Sequence, residues 1–327
     1  MKNVFKKFLC FLISALIFSA FSSCTENEPN SDINANALYK IGICQFIEHK
    51  ALNSATEGFK AALSEKLGQN VTFDYQNAAG DKTNAASICS LFASEKYDLI
   101  FANSTNALAA AAEATSEIPV VACSVTDFES TLGLENFTGK TGFNVTGCSD
   151  LLPLEEQAEV IYELFPDAKK VGILYCSSEI NSKYQADEIT KHLTSYGFKC
   201  QNYTFVDTTD VTLVTQQAAS ECDVIYTPTD NTVASNTQAI NNILEPAKIP
   251  LVAGNNDVAL DCGVATVGIE YYDLGYEAGL MAYEILAEGK DPAEMEIKYA
   301  DEYLKRYIPE RCQLLGITVP EDYMKIE

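Results

Sequence analysis

Amides, hydroxyls and acids gather along this chain wherever an apolar run gives way to a helical one. The groups are Gln45-Phe46 with Glu48-His49, Tyr75-Gln76-Asn77, Asn103-Ser104-Thr105-Asn106, Ser124-Val125-Thr126-Asp127, Ser177-Ser178-Glu179 with Asn181, Thr229-Asp230-Asn231-Thr232, and Asn255-Asn256-Asp257. Hydroxyls and free N–H groups at a helix amino end suit a carboxylate, so Ser104, Thr105 and Thr126 are candidates to hold one. Asp230 is the candidate for an ammonium group, and Phe46, Tyr75, Phe128 and Tyr271 are candidates to stack on an aromatic ring. Gln45, His49, Asp127, Asn181, Asn231 and Asn255 complete the candidate lining. Each cluster taken alone also reads as an ordinary helix cap, because the same residue types are preferred there. Their joint placement is what favours a binding site.

Signals for catalysis or metal are thin. The chain has two histidines; His192 falls on a helix face and His49 in a loop. A hydrolase needs a base beside its nucleophile, and no GxSxG elbow, GxGxxG turn, P-loop or metal-ligand spacing is present. No catalytic residue, cofactor or metal is expected.

The elements that must position these groups follow from the hydrophobic period. YKIGICQF, VTFDYQNA, DLIFAN and PVVACSV read as strands, and Leu52, Ala55, Phe59, Ala62, Leu63 and Leu67 recur at helical spacing between the first two. Further helices are expected over Lys82–Ser94 and 106–115. Such β–α alternation implies a parallel sheet wrapped by helices.

The pattern then restarts. VGILYC parallels IGICQF, CQNYTFV parallels VTFDYQ, CDVIYTPTDNTVAS parallels YDLIFANSTNALAA, and IPLVAGNND parallels IPVVACSVTD, with equivalent landmarks about 130 residues apart. Two similar doubly wound α/β lobes are expected: 38–147 with about 270–295 as the first, and 148–269 as the second. FNVTGCSD and VATVGIEYYDLG lie at the joins, and a tail over 296–327 is expected to close the hinge region. Ligands of open parallel sheets bind beyond the strand carboxyl ends, where the polar groups above fall. Lobes joined by a few strands open and close as a hinge.

The beginning of the chain sets its compartment. Lys2, Lys6 and Lys7 precede an apolar run over 8–21, and Phe21-Ser22-Ser23-Cys24 forms a small-residue cleavage site. This is the pattern of a bacterial lipoprotein signal over 1–23, with Cys24 lipidated (palmitate among its acyl groups) and 24–37 a polar linker; a secretory signal with a cysteine near its cut and an uncleaved membrane anchor are the alternatives. Phe21 is an unusual first residue for such a box. Cleavage removes three lysines and no acids, deepening a formal charge of −24 by three. That surface excludes nucleic acid as partner. Nine cysteines remain after Cys10 and Cys24; the odd count and lack of any CxxC signal neither a disulfide framework nor zinc.

IGICQFIEHKALNSATEGF, VTFDYQNAAGDKTNA, PVVACSVTDFEST, NVTGCSDLLPLEEQ, VGILYCSSEINS, IYTPTDNTVAS and VGIEYYDLG, with GITVPED near the end, together resemble the substrate-binding proteins of ABC transporters, specifically the TrpX-like tryptophan and tyrosine transporter binding proteins. The resemblance spans 39–322. It implies a type I periplasmic-binding-protein fold, a monomer that captures a small, aromatic amino acid between its lobes, and delivery to a permease driven by a cytoplasmic ATPase. Gln45, Tyr75, Ser104, Thr105, Thr126, Asp230 and Asn231 match its binding positions, while Asn103-Ser104-Thr105-Asn106 is more polar than the corresponding strand end in relatives. Two other readings stay open: a ligand sensor presenting its closed form to a membrane receptor, and an extracellular hydrolase using His49. The polar edges also accommodate a nucleoside or sugar.

Overall fold

The computed structural model describes residues 38–300 and 302–326. The signal, Cys24 and the linker therefore lie outside the described residues. Among the described residues there are thirteen strands: β1 (Tyr39–Gln45), β2 (Val71–Asn77), β3 (Leu99–Asn103), β4 (Val120–Val125), β5 (Val145–Ser149), β6 (Lys170–Cys176), β7 (Lys199–Phe205), β8 (Val224–Thr227), β9 (Leu251–Ala253), β10 (Ala265–Gly268), β11 (Lys298–Tyr299), β12 (Leu304–Tyr307) and β13 (Met324–Lys325). The α-helices, in chain order, are α1 (Lys50–Leu67), α2 (Lys82–Ser94), α3 (Thr105–Ala114), α4 (Phe128–Leu132), α5 (Leu154–Leu164), α6 (Ile180–Ser195), α7 (Val211–Glu221), α8 (Asn231–Ala234), α9 (Thr237–Ala247), α10 (Asn256–Cys262), α11 (Tyr271–Glu288) and α12 (Pro309–Leu315).

The strands form two sheets, ordered β11-β5-β4-β3-β1-β2 and β13-β12-β10-β9-β8-β6-β7. Stripped of its edge additions, each sheet has the same order, with β10-β9-β8-β6-β7 repeating β5-β4-β3-β1-β2. The doubling seen in sequence is thus a doubling of topology. Both repeats are parallel throughout; the antiparallel pair is β10 with β12 at the edge of the second sheet. Helices cover both faces, which is why β3 and β4 are buried at every residue. In this strand order the direction of winding reverses between β1 and β3, and between β6 and β8. Ligand crevices open at the carboxyl ends of strands at such reversals.

The chain crosses between lobes three times: from β5 to α5, from β10 to α11, and from β11 to β12. The tail from 296 is shared between the lobes. Its β11 pairs with β5 in the first sheet, and β12, α12 and β13 extend the second lobe. The first sheet itself runs on through Ser149.

The returning helix α11 lies against α1 at very short range. Cβ atoms built at Gly58 and Gly275 would fall 2.1 Å from Tyr272 O and 1.9 Å from Ala55 O. Glycine is required at both because backbone meets backbone. One buried cluster runs from Phe59 and Phe101, stacked at 3.8 Å, through Leu152 and Ile161 to Ile173 and Tyr226, so both lobes share a continuous core past the hinge. Further clusters fill the far face of each sheet. Among the described residues no helix is long and apolar enough to cross a membrane.

Candidate functional site

At the first reversal, Ser104 follows β3 and caps α3, its Oγ accepting the Ala107 N–H at 3.2 Å. The next two N–H groups, on Thr105 and Asn106, belong to the turn that has no intrahelical acceptor. Both residues are buried, and Asn106 Nδ2 has no hydrogen-bond partner. Ser104 holds φ 121° and Ser124, at the end of β4, φ 57°. A non-glycine residue in such a region costs about 1–3 kcal/mol, and here two adjacent strand ends are bent this way. The result is a patch of donors with no lysine or arginine in it.

The hinge supplies the opposite charge. Asp150, just past β5, is 4% exposed; its Oδ1 accepts from Thr126 Oγ1 at 3.2 Å and its Oδ2 from Tyr271 Oη at 2.8 Å. Burial pushes the Asp150 carboxyl above the usual carboxylate range, opposed by the Tyr271 and Thr126 hydroxyls. The pull of its negative charge, added to burial, raises the Tyr271 phenol as well. Gln185 of the second lobe approaches Thr126 Oγ1 to 3.5 Å while its Oε1 accepts the Thr229 N–H, so this network spans the lobes.

At the second reversal two further acids are buried. Glu179 accepts from the N–H and side chains of Asn231 and Thr232, and Asp230 from the N–H groups of Cys176 and Val233, both at 2.7 Å. Desolvation and then the neighbouring Glu179 raise Asp230 above its ordinary value. Asn181 donates through Nδ2 to Thr229 O at 2.9 Å, leaving its buried Oδ1 unpartnered. Asp150, Glu179 and Asp230 are the charged residues among the buried side chains described, and no lysine or arginine is buried with them. A cleft with this balance suits a cationic group at the hinge and an anionic one at the α3 amino end.

The lobes touch across the cleft. His49 Nε2 lies 3.1 Å from Asn231 Oδ1, Lys82 Nζ donates to Ser178 O at 2.8 Å, and Lys50 pairs with Asp261 at 2.5 Å. Each contact joins the first lobe to the second, so they exist together only when the lobes are closed. Among the described residues no group of His, Cys, Asp and Glu is arranged to hold a metal ion, and the nine cysteines are free thiols.

Residues 40–326 match the family model for ABC transporter substrate binding proteins. The chain belongs to that family. A tyrosine-binding protein of Clostridioides difficile is 34% identical over 91% of this chain and 88% of its own length. The crystal structure of a Streptococcus pneumoniae ABC domain in complex with L-Trp is 30% identical, covers 89% of this chain and 100% of its own, and superposes with a TM-score of 0.85. A ligand-free, open substrate-binding protein with adhesive properties from Clostridium difficile is 35% identical over 88% of this chain and 99% of its own, yet superposes at 0.67. The chain nearer in sequence is thus the poorer superposition. This agrees with the closed lobes described above. The architecture is the two-lobed, type I periplasmic-binding-protein fold.

Within this binding protein the thirteen sequence candidates divide by role. Thr126 and Tyr271 meet at Asp150, Ser104 and Thr105 open α3 beside the end of β4, and His49, Asn181 and Asn231 meet around Glu179. Six others serve their own lobe. Gln45 is spent on Asn53, Ile47 and Thr56; Phe46 packs in the core of the first lobe; Asp127 and Asn255 cap α4 and α10. Tyr75 lies at the sheet edge, donating to Glu48 with Lys60 over its ring. Asp230, expected to meet the ammonium, has both oxygens engaged by backbone N–H groups. Asp150 and Gln185 join these groups without having been singled out, and Glu179 and Asn106 were named within their polar clusters without a role of their own. The FNVTGCSD join and the spacing of Gln185 four residues after Asn181 on α6 were their available signals.

Proposed function

We propose that this chain is the extracytoplasmic, lipid-anchored receptor of an ABC importer, holding a small aromatic amino acid between its lobes and handing it to a permease. The observation that carries this reading is the charge division of the cleft. A carboxylate is received by the α3 amino end, with Ser104, Thr105 and Asn106, and an ammonium by Asp150 at the hinge. Backbone N–H groups bind anions without a full counter-charge, which explains how the cleft manages without arginine. The buried Asp150 has no protein cation beside it, so a ligand ammonium relieves the cost of its burial.

Contacts from both lobes are satisfied together only in the closed state, so binding and closure are one equilibrium. The permease reads the closed form. The names of the relatives, a tyrosine-binding protein and a complex with L-Trp, favour an aromatic side chain. Cys24 and the linker to residue 37 hold the cleft within reach of the membrane, and the net negative surface agrees with a small-molecule cargo. In a thermal-shift screen of the twenty amino acids, nucleosides and sugars, L-tyrosine and L-tryptophan should give the largest rises. A ligand at 100 times its dissociation constant stabilises by about 2.7 kcal/mol. A shift with a sugar or nucleoside and none with any amino acid would sink this reading.

A further inference from the structure

His49 precedes α1 and reaches across the cleft to Asn231. The direction of that bond follows from the other end of Asn231. Its Nδ2 donates to Glu179 Oε2 at 2.7 Å, so its Oδ1 is the acceptor and His49 Nε2 carries the proton. The neutral ring then turns a bare lone pair at Nδ1. That atom is screened from solvent and has no hydrogen-bond partner.

A second bare acceptor lies in the same network. Asn181 Nδ2 donates to Thr229 O at 2.9 Å and to Glu179 Oε2 at 3.3 Å, which fixes the amide and leaves Oδ1 facing no donor. His49, through Asn231, and Asn181 both belong to the hydrogen-bond network of Glu179. A buried acceptor without a donor is costly. Protein groups do not meet the need here, so it falls to the ligand.

Resting on the amino-acid reading above, we propose that His49 Nδ1 and Asn181 Oδ1 accept a hydrogen bond from the ligand's side chain, selecting aromatic amino acids that carry a ring O–H or N–H over phenylalanine. The ring of phenylalanine fills the same space and leaves the acceptors bare. A site built to bond a substrate hydroxyl rejects the analogue that lacks it more strongly than apolar contact can. The preference is also tied to the neutral imidazole. Burial lowers the His49 pKa, against the pull of Glu179 and the bond to Asn231. Glu179 is the charged group opposite it; the flanking Lys50 is taken by Asp261, and Glu48 accepts from Tyr75.

The test is calorimetric titration of L-tyrosine, L-tryptophan and L-phenylalanine, reading the ratio of dissociation constants so that any effect on closure cancels. Wild type should bind tyrosine at least about tenfold more tightly than phenylalanine, the worth of one buried hydrogen bond. In His49→Ala the ratio should collapse to within about threefold, and His49→Asn, whose Oδ1 can stand in for Nδ1, should restore part of it. Acidification through the His49 pKa turns Nδ1 into a donor, so in wild type the ratio should also fall, while the titration of Asp150 weakens all three ligands alike and cancels in it. Equal affinity for tyrosine and phenylalanine in wild type, or a ratio that survives His49→Ala, overturns the proposal. Failure of all three to bind overturns the amino-acid reading and this inference with it.

Discussion

Asp150→Asn is expected to weaken amino-acid binding by about 2–5 kcal/mol, the range for truncating one side of a buried charge pair, while making the unliganded protein more stable at neutral pH. The two effects have one cause. Asp150 is nearly inaccessible, its partners are the neutral hydroxyls of Thr126 and Tyr271, and burial raises its pKa. For a carboxyl whose folded pKa is raised, the favourable contribution to stability is present below the unfolded pKa and is lost as pH rises through the folded one. Asparagine keeps the shape without the charge, provided one of the two hydroxyls turns to accept from its Nδ2. The variant should therefore match wild type in acid and exceed it above the raised pKa of Asp150.

The same linkage makes ligand binding pH-dependent. An ammonium favours the ionised carboxylate, so binding draws the Asp150 pKa back down and affinity falls as pH drops through its unliganded value. Thermal melts of wild type and variant with and without L-tyrosine, across that interval, separate the two effects. If the variant bound within twofold of wild type, the ammonium would belong to the Glu179 side of the cleft.

Gly275→Val should cost at least about 3 kcal/mol, at the upper end of the range for overpacking a close-packed site. The obstacle is backbone, since the new Cβ would stand 1.9 Å from Ala55 O and 2.6 Å from Ala55 C. No rotamer of a neighbour relieves that contact; α11 must lift off α1. Gly289→Ala is the control. Gly289 caps the same helix at φ 71° with nothing within 4 Å of its Cβ, so its loss is the local strain of about 1 kcal/mol. Urea unfolding midpoints give both values. Because α11 begins at Tyr271, which donates to Asp150, Gly275→Val should weaken ligand binding as well; an unchanged affinity would detach the helix packing from the site.

The two lobes were legible because parallel strands buried on both faces read as unbroken apolar runs, and the second set repeats the first in composition and order. Their pairing order was not, since β1 and β6 bind neighbours distant in sequence. The sharing of the tail between lobes depends on two residues of β11, too short a strand to carry a period. For the site, the difficulty was chemical. Helix capping and ligand binding draw on the same residue types, and sequence does not show that Asp230 and Gln45 already hold hydrogen bonds within the protein. Asp150 was marked in sequence by its place in the FNVTGCSD join alone; its meaning comes from Tyr271, 121 positions away. His49, a candidate lining residue in the sequence, meets its partner Asn231 on the other lobe.

The central claim is that a zwitterionic aromatic amino acid is what the closed lobes hold. Isothermal titration of the protein with L-tyrosine and L-tryptophan tests it most directly. The account predicts saturable one-to-one binding with a dissociation constant of about 1 μM or tighter, worth ~8 kcal/mol, for at least one of the two. No heat of binding for either at millimolar concentration would contradict it.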